Sequence, residues 1–293
     1  MELSIIIPVY DAERTLARTL RSLEHIAPRH RDDVEVVLVD DGSNDESSAI
    51  ADTFFAAGLF PHVHRRAQAN AGSAAARNAG LEIATGRWLY LLDADDELAC
   101  DPIDVIASAP DASVIGCRIE LHRHGTPRGQ RRPRHVSRSG HLAAFTAGHP
   151  NFSQALIARR DHVDVPFDPR WPTLEDWVFW MSNPRVFDRM ELRPEVTLAI
   201  IHAHGANKSR LYARRGAVRS EIAEAMLRRL DDRLTPSARN NLRIQAGIGR
   251  LLRGEGGGWR ELGRFPCNPV LYAKLWVYFV FRGRFGLVDF YGR

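Results

Sequence analysis

The chain has 293 residues, of which 44% are hydrophobic and 26% charged, and its formal net charge is +4. That is ordinary for a folded globular protein, with room for one large domain or a domain plus an appendage. Three distant cysteines without C-x-x-C spacing exclude a disulfide framework and a zinc knuckle, and no apolar run reaches the roughly 18 residues of a spanning helix.

The mild positive charge suits anionic ligands or a membrane surface and requires neither. The cysteine usage and a start at Met1-Glu2-Leu3-Ser4, without a signal peptide's basic and apolar regions, predict a cytoplasmic protein. Arginine far outnumbers lysine, which occurs only as Lys208 and Lys274; this reads as the codon bias of a GC-rich genome.

Leu3 to Val9 is rich in isoleucine and reads as a buried first strand. Asp11 is placed to cap a helix carrying Leu16, Leu20 and Leu23 at helical spacing. Val34 to Val39 is the second strand and ends in Asp40-Asp41-Gly42-Ser43-Asn44-Asp45, where Ser43 or Asp45 can cap a helix running to about Phe55. A short third strand surrounds Val63. Asn70-Ala71-Gly72-Ser73 turns into a helix over 74–84, and Thr85-Gly86 ends it. Trp88 to Leu92 is then a buried strand that stops abruptly in Asp93-Ala94-Asp95-Asp96. The alternation of strand and helix predicts a parallel, doubly wound α/β sheet. Both acidic loops then fall at the carboxyl edge of the sheet, where such folds bind ligands.

Each loop taken singly is equally a helix cap or a solvated turn. No G-x-G-x-x-G or G-x-x-x-x-G-K-[ST] is present, so a phosphorylated ligand at this edge has to be held through a divalent cation on the acids. Oxygen ligands suit Mg²⁺ or Mn²⁺.

Ser4-Ile5-Ile6-Ile7-Pro8-Val9-Tyr10, Val39-Asp40-Asp41-Gly42-Ser43, Asn70-Ala71-Gly72 with Ala76-Arg77-Asn78-Ala79-Gly80, and Asp93-Ala94-Asp95-Asp96 resemble, in order and spacing, the family 2 glycosyltransferases of the GT-A fold. Trp171 to Trp180 resembles that family's acidic acceptor-side block, and His204-Gly205-Ala206-Asn207-Lys208-Ser209 its late histidine-serine segment. The resemblance covers about residues 1–210. It implies a GT-A domain, a mostly parallel sheet flanked by helices. Its donor half would span 1–115 and its acceptor half 116–210, with a helical extension over 211–293. It further implies that Asp40 holds the nucleobase of a nucleotide-sugar donor, that Pro8, Val9 and Tyr10 line the base pocket, and that Arg77 reaches the base or diphosphate. Asp93 would lie near the ribose, with Asp95 and His204 on Mn²⁺ or Mg²⁺. Asp176 would be the catalytic base, with Glu175 and Trp177 on the acceptor side.

These residues suit the chemistry. Charge grows on a departing nucleoside diphosphate, and a cation stabilises it. An attacking hydroxyl must lose its proton to a carboxylate. One base and no protein nucleophile means direct displacement with inversion, by analogy with hydrolysis. Plainer readings compete. Glu175-Asp176 can simply begin a helix that buries Trp177, Phe179 and Trp180. His202 shares a strand face with His204, and Arg77 can be a solvated helix residue.

Ser113 to Leu121 reads as a further strand. His122 to Arg138, rich in arginine, reads as an exposed mobile loop, either merely solvated or a guide for an anionic acceptor. No aromatic residues interleave with these arginines, which disfavours nucleic acid. Helices are predicted over 217–234 and from Pro236 through Leu252. The apolar, aromatic stretch from Val270 to Phe281 packs on the domain or in a homodimer, or lies as an anchor at the inner face of the cell membrane. The function expected is therefore an inverting, metal-dependent glycosyltransferase of polysaccharide or cell-envelope synthesis, acting on a glycan or lipid-linked acceptor. The rivals are a sugar-phosphate nucleotidyltransferase, a non-catalytic binding module of the same fold and a peripheral membrane scaffold.

Overall fold

A computed structural model describes residues 1–123, 125–133, 153–171, 173–203, 212–230, 232 and 234–252. The chain divides into two compact units, Met1–Leu142 with His149–Gly205, and Ala143–Gly148 with Ala206–Arg293.

In the first unit, β1 (Leu3–Val9) and β2 (Val34–Asp40) are almost wholly buried, as a parallel sheet covered on both faces requires. β1 lies between β2 and β4 (Trp88–Leu91), all parallel, with Leu3 opposite both Val34 and Trp88. β3 (His62–Ala67) closes the edge beside β2. The alternation of side chains divides the core. Leu3, Ile5, Ile7 and Val9 pack with Leu16 and Leu20 of α1 (Leu16–Ser22) and Ala51 of α2 (Ser47–Ala56). Ile6 faces the other way, toward Ala76 and Ala79 of α3 (Ser73–Ile83). Helix and strand come so close there that a Cβ on Gly80 would lie 2.4 Å from Ile6 Cγ2.

The second half of the sheet is mixed. After β5 (Glu97–Leu98) and α4 (Pro102–Ala107) come β6 (Val114–Arg123), β7 (Thr126–Arg131), β8 (Leu156–Arg159), α5 (Glu175–Ser182) and β9 (Met190–Ala203). The strand order is β3-β2-β1-β4-β8-β6-β9-β5, with β7 on β6. β8 runs antiparallel to both β4 and β6, while β9 is parallel to β6. One sheet thus runs through both 1–115 and 116–210. In the second unit, α6 (Tyr212–Arg229) and α7 (Pro236–Leu252) pack together, with Ser220 Oγ 3.2 Å from the Ala246 carbonyl and Arg250 on Glu224 at 2.9 Å.

Several local expectations are corrected. Asp11 does not cap α1, whose N-cap is Thr15. It adopts a left-handed backbone (φ 45°) and accepts the Asn44 amide at 2.8 Å, tying the β1 and β2 loops together. The arginine-rich segment is not all loop, since β7 pairs with β6 as a hairpin. Its strand residues are nearly all exposed, so it carries no apolar alternation for a sequence to reveal. The first C-terminal helix begins at Tyr212 rather than near 217. His204, residues 134–138 of the arginine-rich segment and the apolar tail lie outside the described residues. Among the described residues no helix is long and apolar enough to cross a membrane.

At the edge opposite the acidic loops, Glu35 is a buried carboxylate. It accepts Ser4 Oγ at 2.5 Å, the Thr85 amide at 2.5 Å and the Gly86 amide at 3.0 Å. Burial pushes its carboxyl up, but the hydrogen bonds outweigh that and hold it below the usual range. A lowered folded-state pKa contributes stability above the unfolded value, and that stability is lost as pH falls through the folded one. Glu35→Gln should therefore cost about 2 kcal/mol at pH 7, the size of a charge-assisted hydrogen bond. It should also flatten the acid limb of the stability profile; urea titrations from pH 7 to pH 3 measure both.

Candidate active site

The carboxyl ends of β1, β2 and β4 lie side by side, and their loops build one site. At the end of β2 the two aspartates divide the work. Asp40 Oδ1 accepts the Ser43 amide at 2.9 Å and holds the turn. Asp41 is buried and accepts Gln68 Nε2 (2.7 Å) and the amides of Ala71 (2.9 Å) and Gly72 (2.8 Å). It thereby fixes the loop that enters α3. Gly42 follows them with φ 78°, and a Cβ there would meet the Asn70 amide nitrogen at 2.9 Å.

The loop after β4 is pinned by its backbone. Thr19 Oγ1 sits 2.9 Å from the Ala94 carbonyl and 2.7 Å from that of Asp96, and Arg18 Nη2 donates to the Asp95 carbonyl at 2.7 Å. The loop brings carboxylate oxygens of Asp93, Asp95 and Asp96 within 4.8 Å of one another. Asp96 is buried, and its Oδ1 accepts the His202 amide of β9 at 2.9 Å. Burial, then the neighbouring Asp95 and Asp93, push its carboxyl well above the usual range. Three oxygen donors gathered this closely fit a hard divalent cation such as Mg²⁺ or Mn²⁺.

Arg77, buried in α3, connects this loop to α5. Its Nη2 meets Asp93 Oδ1 at 2.6 Å and its Nη1 meets Glu175 Oε1 at 3.0 Å. Burial opposes the charge, but Asp93 and then Glu175 hold the guanidinium above its ordinary range. Its contacts are therefore two carboxylates that it bridges. Asn78 explains the rest of the Ala-Arg-Asn segment. Its side chain clamps the Phe167 backbone by two hydrogen bonds of 2.7 and 2.8 Å. The Phe167 ring lies 5.4 Å from the Arg77 guanidinium and stacks at 4.0 Å on Phe179 of α5.

α5 starts at Glu175, as the helix-start reading expects, and Trp177, Phe179 and Trp180 are buried. Leu174 before it is buried in a left-handed conformation (φ 63°), a strained backbone for a residue with a Cβ. Glu175 Oε1 also accepts Ser73 Oγ at 2.9 Å. Asp176 is held by Ser153 Oγ on Oδ2 (2.7 Å) and by the Trp177 amide on Oδ1 (2.8 Å).

The sequence-derived candidates Asp40, Arg77, Asp93, Asp95, Glu175 and Asp176 are all placed on this sheet edge. Two others are buried. Trp177 is 0% exposed, and its amide donates to Asp176 Oδ1 at 2.8 Å. Val9 packs its side chain into the core and offers its carbonyl, which accepts the Asp41 amide at 2.8 Å. Pro8 is partly buried, and Tyr10 is 50% exposed beside Asp11. Ser73, Ser153 and Phe167 were not singled out from sequence, and Asp41 and Asp96 were read there as parts of the acidic loops without a role of their own. Asp41 and Asp96 adjoin recognised acids; the other three are brought in by the fold.

A sheet of this order with an acidic cluster after its fourth strand has the architecture of the GT-A fold, and the solved structures of glycosyltransferases agree with it. S. aureus TarS 1-349 in complex with UDP-GlcNAc superposes with a TM-score of 0.67, 19% identity and coverage of 88% of this chain and 75% of that one. The mannosyltransferase PcManGT from Pyrobaculum calidifontis, in complex with GDP-Man and Mn²⁺, gives 0.63 at 17% identity, over 99% and 82%. Glycosyl transferase family 2 matches residues 4–168, more than half of the chain, and the chain belongs to that family.

Among curated relatives, the uncharacterized glycosyltransferase YibD of Escherichia coli (strain K12) is 40% identical over 122 residues, 41% of this chain and 34% of the relative. The undecaprenyl-phosphate 4-deoxy-4-formamido-L-arabinose transferase of Pseudomonas fluorescens (strain Pf0-1) is 40% identical over 92 residues, 31% and 27% respectively. The matches thus span about a third of the length of these relatives.

Proposed function

We propose that this glycosyltransferase moves a sugar from a nucleoside-diphosphate donor to a hydroxyl of a glycan or lipid-linked acceptor, with inversion and with a divalent cation. The observation that carries the reading is the convergence of Asp93, Asp95 and Asp96 within 4.8 Å, tied through Arg77 to the helix start that presents Asp176. Neighbours of the same fold bind UDP-GlcNAc and GDP-Man, which supports the donor class. A relative named as an undecaprenyl-phosphate sugar transferase supports a lipid-linked acceptor.

Asp93, Asp95 and Asp96 would hold the cation, which when bound supplies positive charge to the departing diphosphate. His204 remains a proposed further ligand. The Asp40 turn and the exposed Tyr10 would border the base, and Arg77 would hold Asp93 in place beside the diphosphate. Asp176 would take the proton of the attacking hydroxyl. Glu175 is engaged by Arg77 at 3.0 Å and by Ser73 Oγ at 2.9 Å, so Asp176 is the acid proposed as the base.

Asp95→Ala tests the donor half. In the parent chain Mn²⁺ should tighten UDP or GDP binding in calorimetry, and in the variant that enhancement should fall at least tenfold. A variant that keeps the full enhancement removes Asp95 from the cation site.

A further inference from the structure

We infer that Ser153 is a positioning residue for the base, one that fixes the Asp176 carboxylate against the sheet. The inference rests on Asp176 being that base. Ser153 opens the short 3-10 turn Ser153–Ala155 that feeds β8, a strand held between β4 and β6. Ala155, Leu156 and Ile157 behind it are buried, and Ser153 itself is 6% exposed. Its backbone is therefore as fixed as the sheet.

The hydroxyl does not spend itself on nearby backbone, as a buried serine commonly does. It reaches 2.7 Å to Asp176 Oδ2, 23 residues further along the chain, while Gln154 Oε1 lies at a longer 3.2 Å. The other oxygen, Oδ1, receives the Trp177 amide at 2.8 Å. One of its donors thus comes from the sheet and another from the helix. Each takes a different oxygen, so rotation of the carboxylate about its Cβ–Cγ bond is opposed at both ends.

The kind of donor matters as well. Glu175 is held by the Arg77 guanidinium at 3.0 Å and by Ser73 Oγ at 2.9 Å, which ties it to α3. Ser153 meets Asp176 with a neutral hydroxyl, a donor that orients a carboxylate without adding charge. The two adjacent acids therefore receive different partners suited to different tasks: Glu175 joins α5 to α3, and Asp176 is aimed.

The test uses the full chain with UDP-N-acetylglucosamine and GDP-mannose as donor probes, Mn²⁺ present, and release of UDP or GDP as the readout. Ser153→Ala should lower kcat about 10–100-fold, the cost of a loosely placed catalytic group, with the donor KM within about twofold of the parent. The acid limb of its kcat profile should move to higher pH, because the ionised carboxylate has lost a donor. Ser153→Thr keeps the hydroxyl and should recover most of the rate; a failure to recover overturns the inference, as does Ser153→Ala with parental kcat and pH profile. Calorimetric UDP binding reports whether each variant is folded. If the alanine variant does not fold, Ser153→Cys decides, since it keeps the size with a weak donor: a parental rate overturns the inference and an alanine-like loss supports it. Asp176→Asn separates the two claims. Its full activity would remove the base and Ser153's role together, whereas an inactive Asp176→Asn beside an unimpaired Ser153→Ala would remove Ser153 alone.

Discussion

Asp176→Asn should lower sugar transfer by about 10²–10⁴-fold and leave donor binding intact, the range that general-base catalysis contributes. Asparagine matches aspartate in size and its carbonyl can still accept a hydrogen bond from Ser153 or the Trp177 amide, so the fold of α5 should persist. What is lost is the capacity to take a proton. The expected signature is a fall in kcat with an almost unchanged KM for the nucleotide sugar, since an interaction of the transition state alone has been removed. Calorimetry with UDP or GDP and Mn²⁺ supplies the binding control, and a variant that turns over at the parental rate would falsify the assignment.

Arg77→Met should be the most damaging single change to the scaffold. Methionine replaces the aliphatic stem but leaves Asp93 and Glu175 facing each other without the cation that bridges them. Breaking a buried ion pair from one side costs several kcal/mol; here about 3 kcal/mol is expected, because Asp93 remains partly open to water. The contact of the guanidinium with the Phe167 ring is lost too. Urea denaturation should register the loss, and the double variant Arg77→Met with Glu175→Gln should regain part of it by removing one stranded charge. Activity should fall in both, since Asp93 loses the partner that holds it in the cation cluster. A stable, active Arg77→Met chain would show that the bridge is dispensable.

The donor half was legible in the sequence because its signals are local. Isoleucine-rich β1 and valine-rich β2 announce strands buried on both faces, and an apolar strand ending in three acids announces a binding edge. The arginine-rich segment was misread as loop, because β7 buries almost nothing and shows no alternation. Trp177 was assigned to the acceptor side from its place next to Asp176, yet consecutive helical residues point in different directions, and its ring turns inward. Asp40-Asp41 looked like one unit. Only the fold shows that Asp41 holds the 68–72 loop while Asp40 caps its own turn.

The sequence by itself determined the strand-and-helix alternation, the sheet edge at which the acids collect, and the family to which their spacing belongs. Each is set by hydrophobic period or by residues within a few positions of one another. The tertiary structure decided the partners: Arg77 with Glu175, 98 residues apart; Asp96 with the His202 amide, 106 apart; Ser153 with Asp176. Such pairs join separate loops and helices at the sheet edge. A serine or arginine in the chain has the same chemistry wherever it stands, and its role is fixed only when packing sets a carboxylate within hydrogen-bond reach.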